Sequence, residues 1–121
     1  MIEQIKSSEI KNFVENNPKT VLLDVRTVDE WKTVGKPDST SLGMKTYFIT
    51  ISQDTSFIEN VKQKINKENK VLVMCAAGGR SIIAANTLHD EGYFSLNISD
   101  GFSGNGKDPG WINLGLPIEK T

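Results

Sequence analysis

An α/β domain built on a parallel sheet is the fold class this sequence predicts. Three observations predict it. Two short runs, "VLLDV" (Val21–Val25) and "VLVMC" (Val71–Cys75), are almost wholly apolar, as strands buried on both faces are. Between and around them lie stretches with apolar residues at helical spacing. Strand and helix signals therefore alternate along the chain. With 121 residues the expectation is one domain, residues 1–121, around one core.

In chain order, Ser8 is read as the cap of a helix carrying Ile10, Phe13 and Val14. Val21–Val25 is the first core strand. "TVDEW" opens a second helix with the capping-box spacing Thr27 to Glu30. "TYFITI" (Thr46–Ile51) is an ambiguous strand candidate. Phe57, Ile58, Val61 and Ile65 form an apolar stripe before the strand Val71–Cys75. After a glycine-rich turn, Ala84, Ala85 and Leu88 share a helix face that Gly92 terminates. "SLNIS" (Ser95–Ser99) alternates as a further strand. "GFSGNGKDPGW" reads as an irregular loop, here taken as 101–113, with Trp111 anchoring it to the body.

Composition narrows the function classes. Fourteen basic and 15 acidic residues leave a net charge of −1, which argues against a nucleic-acid or membrane surface. No run is long enough to span a bilayer. The start, "MIEQIKSSEI", lacks the pattern of a signal peptide, so a cytoplasmic protein is expected. One cysteine excludes an internal disulfide, and with a single histidine a metal site is not expected. His89 lies in a plain helical stretch, so a Ser-His-Asp triad is not expected either. No cofactor is called for.

The chemistry concentrates at "CAAGGRS", Cys75–Ser81. A strand ends there and a helix begins within about six residues. In such a turn the backbone N–H groups converge with the positive end of the helix dipole into an anion-binding nest. A sulfur at its centre is favoured as thiolate. Gly78 and Gly79 permit backbone conformations that a Cβ resists. Ala76 and Ala77 are small enough to leave the site open, and Arg80 brings a permanent charge for an anionic group. A lone cysteine closing a strand is more often a small core hydrophobe; a core cysteine, however, has no need of the segment that follows Cys75. Both sulfur transfer and phosphate-ester cleavage use such a cradle. Four residues separate Cys75 from Arg80, one fewer than in the C-x5-R loop of cysteine phosphatases.

These residues resemble the rhodanese family of sulfurtransferases. "CAAGGRS" is similar to its active-site loop, often C-x-x-G-x-R-S; "LLDVRTVDEW" resembles its "DVR…E(F/Y/W)" signature; "GLPIEK" resembles its closing "GLPV". The family often has "GHIPGA" where this chain has "VGKPDST" (Val34–Thr40), and a bacterial branch of single-domain rhodaneses resembles it better. The resemblance implies a central parallel sheet of about five strands flanked by helices on both faces. It implies that Cys75 is the nucleophile that carries sulfane sulfur as a persulfide. Ala76, Ala77, Gly78, Gly79, Arg80 and Ser81 would form the substrate-binding loop. Asp24 and Arg26 would support the site, with a buried pairing to Glu30 or a cap for Thr27 as their plainer role. The partners implied are a small sulfur donor such as thiosulfate, or a persulfide or thiol protein, and no nucleic acid or membrane. The loop carries a single charge, fewer than in some thiosulfate-using relatives. The alternatives on this fold are a non-catalytic or redox-sensing binding module and, with the shorter loop against it, a phosphatase or arsenate reductase. The segment Ser103–Asp108 is either a rim over the pocket or a solvated loop.

Overall fold

The computed structural model describes residues 2–119. Its strands are β1 (Glu3–Ile5), β2 (Thr20–Asp24), β3 (Lys36–Pro37), β4 (Thr46–Phe48), β5 (Lys70–Met74), β6 (Phe94–Ile98) and β7 (Ile118–Glu119). Its helices are α1 (Ile10–Asn16), α2 (Val28–Thr33), α3 (Ser56–Lys64), α4 (Gly79–Asp90) and the single turn α5 (Gly110–Asn113). Five strands form one sheet in the order β1-β6-β5-β2-β4, all neighbours parallel. β3 and β7 make a separate antiparallel pair.

The two apolar runs lie side by side in the middle of the sheet. β2 pairs with β5 from Thr20↔Lys70 to Asp24↔Met74. Alternate residues of these strands feed the two faces. Val21, Leu23, Val71 and Val73 meet Phe57, Val61, Ala84, Ala85 and Leu88 of α3 and α4. Leu22, Leu72 and Met74 meet Ile10, Val14, Phe102 and Trp111 on the other side. Such two-sided cover is what removes polar residues from both strands.

The local signals resolve as follows. Thr27 caps α2: its Oγ1 accepts from Glu30 N at 3.2 Å, and its own N–H donates to Glu30 Oε1 at 3.2 Å. Gly92, at φ +95°, ends α4 with Gly92 N–H to His89 O and Tyr93 N–H to Leu88 O, the paired bonds of a Schellman motif. The Ser8 cap is corrected. Ser7–Glu9 is a 3₁₀ turn, and it is the Glu9 carboxylate that accepts from Lys6 N–H, at 2.9 Å. "TYFITI" is a strand only over Thr46–Phe48, and 101–113 is not irregular throughout, because it closes with α5. Trp111 is fully buried and donates from Nε1 to Pro117 O at 2.7 Å. No helix among the described residues is long and apolar enough to cross a membrane.

The order of strands decides where a site can form. From β2 the chain runs outward to β4; from β5 it runs the opposite way to β6. Adjacent parallel strands whose connections diverge leave a crevice at their carboxyl ends. Asp24 ends β2 there, Val25 and Arg26 follow it, and Cys75 follows β5.

Candidate active site

Cys75 is the first residue after β5, and the loop turns within four residues into α4. The carbonyls of this turn face outward: Cys75 O accepts from Phe102 N–H at 2.8 Å and Ala76 O from Ser103 N–H at 2.9 Å. The amides face inward. Gly78 N–H donates to Cys75 Sγ at 3.1 Å. Burial pushes the Cys75 thiol up, but the Ser81 hydroxyl and the backbone N–H groups of Ser81, Ala77 and Gly78 lower it by more, so the thiolate is favoured. The Ser81 hydroxyl also donates to Asn97 Oδ1. One proton cannot serve both acceptors, so the backbone amides are the committed donors to sulfur.

Only glycine fits at position 78. Its φ is +96°, and a Cβ there would stand 2.3 Å from Ser99 O. Gly79 has no such need: it opens α4, has no positive φ, and a Cβ would meet nothing within 4 Å. The conformational freedom expected at both glycines is used at Gly78 alone. Ala77 and Gly79 are exposed, Ala76 and Arg80 half-buried. Cys75 itself retains 1% exposure. The sulfur thus lies at the floor of the nest, almost wholly covered.

Arg80 does not stand free. It makes a two-pronged contact with Glu30 of α2, Nη1 to Oε1 at 2.6 Å and Nη2 to Oε2 at 2.9 Å. This hydrogen bonding, opposed by partial burial and helped by the Thr27 amide, holds the Glu30 carboxyl at about 2. Asp24 and Arg26 are both fully buried and pair with each other, Oδ2 to Nη2 at 2.9 Å. Arg26 also donates to Gly35 O at 2.9 Å and lies 4.1 Å from the Phe102 ring centroid. Neither residue pairs with Glu30, which takes Thr27 and Arg80 instead. The pair braces the end of β2, and its charges are sealed from the crevice.

Three participants escape the sequence. Asn97 of β6 is buried; it accepts from Ser81 and donates to Gly78 O at 3.2 Å and Gln4 Oε1 at 2.8 Å. It ties the end of the turn and the start of α4 to the sheet. Asp100 is buried and accepts from Ser7 N–H, Ser7 Oγ and Gly110 N–H, each at 2.9 Å. It holds the segment that backs the loop. Glu30 is read from the sequence as a capping residue and as a partner for Asp24 and Arg26, not as the partner of Arg80 that it is. Ser103 bonds to Ala76 O, and the stretch after it, through Lys107, is largely exposed. His89 is exposed on α4, and no group of His, Cys, Asp and Glu suited to a metal occurs among the described residues.

The model of the rhodanese-like domain matches residues 7–105. This chain belongs to the rhodanese-like domain family. Among curated relatives, this rhodanese-like domain is 37% identical over 120 residues to the uncharacterized protein RP600 of Rickettsia prowazekii, covering 97% of each chain. It is 27% identical over 124 residues to thiosulfate sulfurtransferase 18 of Arabidopsis thaliana, covering 93% of this chain and 86% of that one. Among solved structures it is similar to Rv0390 of M. tuberculosis, with a TM-score of 0.84 and 28% identity over 98% of both chains.

Proposed function

We propose that this rhodanese-like domain is a sulfurtransferase that carries sulfane sulfur on Cys75. The observation that carries the reading is the sulfur at the carboxyl end of β5, hydrogen-bonded by Gly78 N–H at the start of α4 and favoured as thiolate. Likeness to a thiosulfate sulfurtransferase adds support.

In the first step the Cys75 thiolate attacks the outer sulfur of a donor, thiosulfate or a persulfide R–S–SH. A new S–S bond forms on Cys75. The donor's S–S bond breaks, and sulfite or the thiol R–SH leaves with its electron pair. In the second step an acceptor thiolate or cyanide attacks the outer sulfur. Cys75 leaves as thiolate, and the product is a new persulfide or thiocyanate. The sulfur atom moves without net oxidation of the protein. The inward amides act on whichever sulfur carries the negative charge, which suits both the thiolate and the persulfide anion. The spacing C-x4-R and the commitment of Arg80 to Glu30 weigh against a phosphate-enclosing loop.

The test is intact mass before and after thiosulfate or a small persulfide, with Cys75→Ser alongside. The expected result is one sulfur adduct that requires Cys75 and is discharged by cyanide as thiocyanate. Adduct formation in Cys75→Ser, or its absence with both donors, would refute the reading.

A further inference from the structure

We propose that Glu30 is a specificity residue that turns this site toward persulfide donors and against the doubly charged thiosulfate. The inference rests on the sulfurtransferase reading above and adds the class of donor.

Both arginines near the sulfur have carboxylate partners. Arg26 is fully buried and held by Asp24, Gly35 O and the Phe102 ring, so no donor reaches it. Arg80 is the loop's own cation, and both its terminal nitrogens face the two oxygens of Glu30. The fork-to-fork geometry is the strong form of this contact. Glu30 is anchored on the other side as well, since Oε1 accepts from the Thr27 N–H and hydroxyl of its own capping box. Withdrawing it from Arg80 would disturb the cap of α2. Each arginine is therefore balanced by a carboxylate, Arg26 by Asp24 inside the fold and Arg80 by Glu30 beside the loop. What attraction remains for an anion comes from the inward amides and the α4 dipole, which act at the sulfur, on the atom being transferred.

Thiosulfate brings two negative charges, and its sulfonate end stays outside the narrow floor at Cys75, beside the Arg80–Glu30 pair. A persulfide brings at most one charge on its reacting sulfurs and leaves an uncharged or variable group outside. With Arg80 neutralised by Glu30, the sulfonate gains little from the one cation of the loop. A persulfide, which has no sulfonate, loses nothing by that pairing.

Glu30→Gln isolates the charge, because glutamine serves equally at this position of a capping box. The measurement is kcat/KM for thiosulfate and for the persulfide of 2-mercaptoethanol, in wild type, Glu30→Gln and Arg80→Gln. The thiosulfate-to-persulfide ratio should rise about threefold or more in Glu30→Gln at low ionic strength, as expected for a partly exposed charge. The rise should shrink as salt is added. Arg80→Gln, which leaves Glu30 uncompensated, should move the ratio the other way. If both donors load Cys75 and the ratio stays put in both variants, or moves oppositely, the specificity role is overturned while the sulfurtransferase reading stands. If neither donor loads Cys75 in wild type, the sulfurtransferase reading falls and the specificity role falls with it.

Discussion

Gly78 and Gly79 are neighbours in the sequence, and replacing each with alanine should have opposite consequences. At Gly78 the backbone is at φ +96°. An L-residue in the left-handed region costs about 1–2 kcal/mol. The new Cβ would lie 2.3 Å from Ser99 O and 3.0 Å from Ser99 C. Those are backbone atoms just past β6, pinned by Ser99 N–H to Ile5 O at 2.9 Å, so they cannot swing aside as a side-chain tip would. Forcing the loop away from β6 adds about 1–3 kcal/mol, the usual cost of overpacking. The expected loss is about 2–5 kcal/mol, or about 8–20 °C in Tm at about 4 °C per kcal/mol for a domain of this size. Gly79→Ala meets no atom within 4 Å and adds a better helix former to the first position of α4. It should be neutral or stabilising by up to about 1 kcal/mol. Urea unfolding of both variants beside wild type measures the pair. A loss below about 1 kcal/mol in Gly78→Ala, or an equal loss in Gly79→Ala, would show that Ser99 does not constrain the turn.

Two further outcomes follow from the site. The Cys75 thiol is lowered by donors that outweigh its burial, so at neutral pH its thiolate fraction should exceed that of a free-cysteine peptide. Iodoacetamide labelling against pH should reach its midpoint below the peptide's; a midpoint at or above the peptide's contradicts the nest. Asp24→Ala strands the buried Arg26 charge and should cost about 3–5 kcal/mol in urea unfolding. Asp24→Asn combined with Arg26→Met should cost less than Asp24→Ala alone, and an equal cost would show that the pair's charge is not what matters.

Much of the site was legible because its signals are local. The Thr27–Glu30 box, the Gly92 terminator and the unit from Val71 through Leu88 all occur within a turn or two of chain. Misreadings occurred where a local rule had two solutions. Ser8 is a good capping residue, yet the carboxylate of Glu9 does the capping from inside a 3₁₀ turn. Two glycines in a row suggest two special conformations, and only Gly78 has one. β1 was not visible, since three residues with a single buried side chain carry no period. Its strand character comes from pairing with β6 at Glu3↔Leu96. β3 and β7 are two residues each and exist only through one another.

The sequence alone determined which segments are buried on both faces, where α2 begins and α4 ends, and that a single thiol follows a core strand into a glycine turn. Those follow from side-chain transfer and backbone stereochemistry, which act within a few residues. The tertiary structure decided what each charge near that thiol is for. Arg80 meets a partner fifty residues earlier in the chain, Arg26 turns to Asp24 rather than Glu30, and Asp100 reaches back to Ser7. A charged side chain is specified by the partner that compensates its desolvation, and only the folded sheet, with β2 beside β5 and β6 beside β1, brings those partners within reach.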